Sequence, residues 1–202
     1  MIFQEEIPMR RSKKTSVVLS LILFAVLIVT SGTLSCGSEE KKSELPQTNY
    51  VEGKSGIVTN EDVEQAKRFF IQIGLEEQDA KEHAVDHALK RESLYQAALE
   101  NGYEVTDEEV NEYLKELKNS SKSEDNKEAF QYEISQFESE EDYWNFQFRI
   151  YKKNLPVIRY VEDMEMKFFE DHPGSGTDEW NEYFGEYERQ LVEDQHYEFP
   201  KE

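Results

Sequence analysis

His83 and His87 stand four residues apart, with Asp86 between them. On a helix this spacing puts both imidazoles on one face, where they could share a zinc ion. The residue after His83 is Ala84, so the His-Glu-x-x-His pattern is absent, and no third ligand is identifiable. The expectation is a pair of surface histidines, with no metal and no cofactor. The 44 carboxylates single out no acid–base pair. Runs such as Glu138 to Asp142 lack calcium-loop spacing and read as solvated helix starts, where negative charge suits the helix dipole. The chain has no phosphate-cradling glycine loop, no Gly-x-Ser-x-Gly elbow and no Cys-x-x-Cys pair. Its one cysteine, Cys36, directly follows the N-terminal segment. This excludes an intramolecular disulfide and makes cysteine catalysis implausible. The residues point away from an enzyme.

Cys36 calls for a different chemistry. Arg10, Arg11, Lys13 and Lys14 precede residues 17–29, which are apolar apart from Ser20. A basic stretch, a short apolar run and small residues before a cut site describe an export signal. The run is short for a membrane span, which needs about 20 residues. The whole stretch from Thr15 to Ser38 is uncharged, so an uncleaved signal anchor could also be accommodated. Basic residues on the N-terminal side keep that end in the cytoplasm, so the bulk of the chain is expected outside. The segment Thr33-Leu34-Ser35-Cys36-Gly37 resembles the lipobox of bacterial lipoproteins. Ser35 fits the small residue before the modified cysteine, whereas Thr33 stands where leucine is usual. The resemblance implies a diacylglyceryl thioether on Cys36, which becomes the mature N-terminus. Two or three acyl chains anchor stably where one does not. The alternative is a free cysteine ending a signal anchor.

Beyond the anchor the chain is strongly acidic. The 202 residues carry a net charge of -21, and removing residues 1–35 leaves 19 bases against 42 acids, a net -23. Such a surface repels phosphate backbones, so nucleic acid is not an expected partner. It also stands off an anionic lipid surface. The 12 Phe, 11 Tyr and 2 Trp exceed what a disordered chain carries, so a folded domain is expected.

The expected organisation is a signal peptide at 1–35, a flexible polar tether at 36–56 and a helical domain at 57–202. Six helices are predicted and no strands, giving an all-α fold. Thr59 and Asn60 open the first helix and Gly74 closes it. The second runs about 76–101, ending at Gly102. Thr106 to Glu109 forms a capping box for the third, which places Val110, Tyr113, Leu114 and Leu117 inward. A short fourth helix spans about 127–137. Ser139 caps a long fifth, about 140–170, in which Pro156 removes a backbone donor and should produce a kink. The break at 172–176 precedes a last helix over 177–193. Aromatics crowd the last two helices. Trp144, Phe146 and Phe148 cannot share one narrow helical stripe, and Trp180 and Phe184 lie on a broad apolar face. Core packing is the default for such spacing, but a groove for apolar peptide segments would use these five residues.

Residues 55–116 resemble the N-terminal chaperone module of the SurA-like and PrsA-type foldases. The resemblance rests on Tyr95 to Gly102, on Gly102-Tyr-Glu-Val-Thr-Asp-Glu-Glu-Val110 after it, and on Glu138 to Trp144 at the next helix start. With the following helices it covers most of residues 55–170. Family members often add a parvulin-type prolyl isomerase domain, for which this chain has no room. The resemblance implies an ATP-independent chaperone that lacks isomerase activity. Its partners would be unfolded, newly exported polypeptides, and its place the extracytoplasmic face of the cell membrane. A lipoprotein module for one specific envelope partner is the rival reading.

Overall fold

The structure, a computed structural model, describes residues 48–121 and 127–199. They form β1 (Asn49–Glu52), β2 (Ile57–Thr59), α1 (Asn60–Gln72), α2 (Glu77–Glu100), α3 (Asp107–Ser120), α4 (Lys127–Ser135), α5 (Glu140–Asp171) and α6 (Thr177–Gln195). The fold is all-α, with six helices among the described residues and one small hairpin. Local chemistry sets the helix ends. Thr59 and Thr106 each form a full capping box, with Asp62 and Glu109. Ser139 accepts from the Asp142 amide. Gly74 and Gly102 take positive φ just past α1 and α2, where a side chain would strain the backbone. α5 is continuous through the buried Pro156.

α2 is the hub. Its small residues Ala84 and Ala88 let α1 approach closely and enclose Val63 and Ala66 with Val51 and Val58 of the hairpin. Further along, Leu94 meets Val157, Val161 and Phe168 of α5 and Trp180 and Phe184 of α6. A third cluster joins α3 to α5 through Val110, Leu114, Tyr151 and Leu155. The last helix therefore packs back onto both α2 and α5.

Between these apolar clusters lies a knot of charge. Arg91 and Glu92 occupy adjacent positions in the middle of α2, and Glu92 is only 6% exposed. Lys153 of α5 reaches Glu92 at 2.9 Å and Asp62 of α1 at 3.7 Å. Arg91 Nε donates to the buried Asn154 Oδ1 at 3.1 Å, and its guanidinium stands 4.0 Å from Asp62. Burial works against the Asp62 carboxylate. Lys153, Arg91 and the Thr59 hydrogen bonds outweigh that cost and hold its pKa below the ordinary value.

The hairpin corrects two expectations. No strand was expected, and residues 48–56 were assigned to the tether. Instead β1 and β2 pair antiparallel, Val51 opposite Val58, with both valines buried. The connecting turn lies on the end of α6. The Ser55 and Gly56 amides donate to Gln195 Oε1 at 3.0 and 3.2 Å, and the Lys54 amide donates to the Gln195 carbonyl at 2.7 Å. The two glycines of the turn permit this approach. A Cβ on Gly53 would meet the Tyr197 ring at 2.8 Å, and one on Gly56 would meet Glu92 Cγ at 2.9 Å.

Gln195→Ala leaves two turn amides without their acceptor. It should lower unfolding free energy by about 1–3 kcal/mol, read as a reduced urea midpoint at unchanged slope.

Candidate functional site

The N-terminal half of α5 carries a cluster of aromatic side chains. Tyr143, Gln147, Ile150 and Tyr151 lie inward, all buried, at the helical spacing that faces the core. Burial pushes the Tyr143 phenol up to about 12, so it stays a neutral donor. Trp144 and Phe148 flank this stripe on the side of α3, packing with Tyr113 and Leu117. Phe146 flanks it on the other side, 5.2 Å from the Phe137 ring. All three flanking rings are partly buried. α4 lies over this region through Phe130, whose ring stacks on Trp144 at 5.8 Å and meets Tyr143 edge-on at 5.9 Å.

Cations cover the outer rings. Lys118 Nζ lies 5.1 Å from the Trp144 centroid and pairs with Glu140 at 2.9 Å, while Trp144 Nε1 donates to Glu140 at 3.0 Å. The Arg149 guanidinium lies 5.7 Å from the Phe146 ring and reaches Glu61 at 3.5 Å. The surface thus combines partly buried rings with two cations, each also paired to a carboxylate, on an otherwise acidic domain. That combination suits non-covalent binding of a polypeptide carrying apolar or aromatic side chains.

Trp180 and Phe184 do not belong to it. They are 0% and 3% exposed and fill the core between α2, α5 and α6. Their broad face is apolar because two helices cover it. Tyr183, their neighbour, is 45% exposed. Truncating Trp180 would remove a core ring, a loss of about 3–5 kcal/mol, and would report on folding rather than on binding.

His83 and His87 flank the Phe70 ring, with centroids at 5.4 and 6.2 Å. Among the described residues no group of three or more His, Cys, Asp or Glu is placed to hold a metal ion. Cys36 and the apolar run at 17–29 lie outside the described residues, among which no helix is long and apolar enough to cross a membrane. No protein-family model, curated protein or solved structure matches the chain.

One partly buried acid was not singled out from the sequence. Glu188 sits on the stripe of α6 that includes Trp180, Phe184 and Leu191. Burial there, against the Asp86 and Lys90 side chains of α2, raises its pKa to about 7. The folded state therefore holds this proton more tightly than the unfolded chain. Glu188 costs nothing while protonated in both states, and its cost grows as pH rises from 4.5 to about 7. Glu188→Gln should be more stable than the parent at pH 8, by about 1–3 kcal/mol. That advantage should vanish toward pH 4.5, as measured by denaturant titration of both proteins across this range.

Proposed function

We propose that the protein is a membrane-tethered, extracytoplasmic binder of unfolded polypeptides that works without ATP and without prolyl isomerase activity. The observation that carries this reading is the set of partly buried rings, Trp144, Phe146 and Phe148, flanking a buried stripe on α5. A stable scaffold holds these rings at the surface, where weak apolar contacts form without chemistry. The resemblance of residues 55–116 to the SurA-like chaperone module supports the same reading. So does α6, which returns to α2 and α5 without an inserted domain. Export and lipid anchoring at Cys36 would place the binder beside emerging chains. Its acidity would keep client complexes apart by repulsion.

A second reading has one observation in its favour. Glu140 and Lys118 fix the orientation of Trp144, and a ring held in one pose suits a single partner of matching shape.

The chain from Ser38 onward should slow aggregation of a chemically unfolded client at near-equal molar ratio, beyond an equally acidic globular control. Trp144→Ala combined with Phe146→Ala should weaken this about tenfold, as expected for the loss of aromatic anchors. Tyr183→Ala should leave it unchanged. Absence of suppression, together with one tight partner recovered from intact membranes, would favour the second reading.

A further inference from the structure

α4 covers the aromatic cluster of α5 with apolar side chains of its own. Phe130 and Ile134 stand one turn apart on one face of α4. Just past the helix, the Phe137 amide donates to the Ile134 carbonyl at 3.0 Å. This turn carries the Phe137 ring back to α5, 5.3 Å from Tyr143 and 5.2 Å from Phe146. Phe130 is buried against Tyr143 and Trp144. Trp144 and Phe146, two of the rings assigned to client binding, are thus each covered by an aromatic side chain from this segment. The chain itself supplies a ligand of the kind the surface suits.

α4 is lightly held. It has nine residues, and a helix this short does not persist without packing. α5 is the element it packs against. Phe130 is its one buried side chain among those described, and it enters none of the three core clusters that join the other helices. Ile134 and Phe137 are only partly buried. Elements with few buried apolar contacts open locally, well below the free energy of global unfolding. Ring-on-ring contacts can be reproduced by another segment with aromatic side chains at matching spacing.

We propose that α4 is a built-in stand-in for a client and leaves α5 when an incoming segment takes its place. That segment is amphipathic, with aromatic, aliphatic and aromatic side chains at the spacing of Phe130, Ile134 and Phe137. Only molecules in which α4 has left can bind, so its docking lowers the apparent affinity by the undocked fraction. Between clients the rings stay covered, which limits association of the protein with itself. The proposal rests on the reading of this surface as the client site.

The test titrates the full chain in detergent micelles with a labelled, capped peptide of residues 127–137, following fluorescence anisotropy. Phe130→Ala combined with Phe137→Ala uncovers the surface and should bind the peptide about tenfold more tightly than the parent. Adding Trp144→Ala should abolish that gain. Phenylalanines with a merely structural role would give equal or weaker binding when removed, and that result would overturn the proposal. A second measurement needs no variant. Hydrogen exchange of the isotope-labelled parent should show α4 amides losing protection as unlabelled peptide saturates, while α5 amides keep theirs. Unchanged protection of α4 at saturation would also overturn the proposal. Peptide exchange without aggregation suppression would support the proposal and sink the client-binding reading. Suppression through α5 with α4 protected throughout would do the reverse.

Discussion

α2 carries opposite charges at adjacent positions in its buried middle, and the neighbouring elements are placed to satisfy them. Glu92 is buried and Arg91 largely so, and unpaired buried charge is costly. α1 supplies Asp62, and α5 supplies Lys153 and Asn154. These contacts fix where α1 and α5 sit along α2. Apolar packing alone, through small alanines, would tolerate sliding. The hairpin turn adds to the constraint, since Gly56 lies close against the Glu92 stem. The Asp62 carboxylate also closes the capping box of α1, so one side chain begins a helix and positions it.

The same logic extends along α5. Arg149 reaches Glu61, Lys152 reaches Asp107, Lys153 reaches Glu92 and Asp62, and Arg159 reaches Glu109. Each outer pair contributes little by itself, because exposed pairs are screened. Together they direct the bases of α5 toward acids on α1, α2 and α3. In the N-terminal half of α5, Arg149 also lies over the Phe146 ring, and Lys118 of α3 lies over Trp144.

What the sequence revealed and what it concealed divide along the line between local and distant causes. The starts at Thr59, Thr106 and Ser139 and the stops at Gly74 and Gly102 depend on residues within four positions, and each was legible. The hairpin was not. Its strands are four and three residues long, and the turn between them is held by Gln195, about 140 positions away. Arg91 and Glu92 carry no local signal of their role, because their partners lie on other helices. On the aromatic face the sequence placed Trp144, Phe146 and Phe148 on more than one side of α5, and the structure leaves all three partly buried. It could not separate them from Trp180 and Phe184, whose burial depends on how α6 docks.

A rigid scaffold with aromatic rings held at one surface is the basis for the proposed activity. Its most direct test is site-specific photo-crosslinking with an unfolded client, placing the reactive side chain at position 146 on α5 or at position 183 on α6. Phe146 is partly buried at the edge of the aromatic set, and Tyr183 is 45% exposed. The account predicts client adducts from 146 and few from 183. Equal labelling from both positions, or adducts from 183 alone, would contradict it.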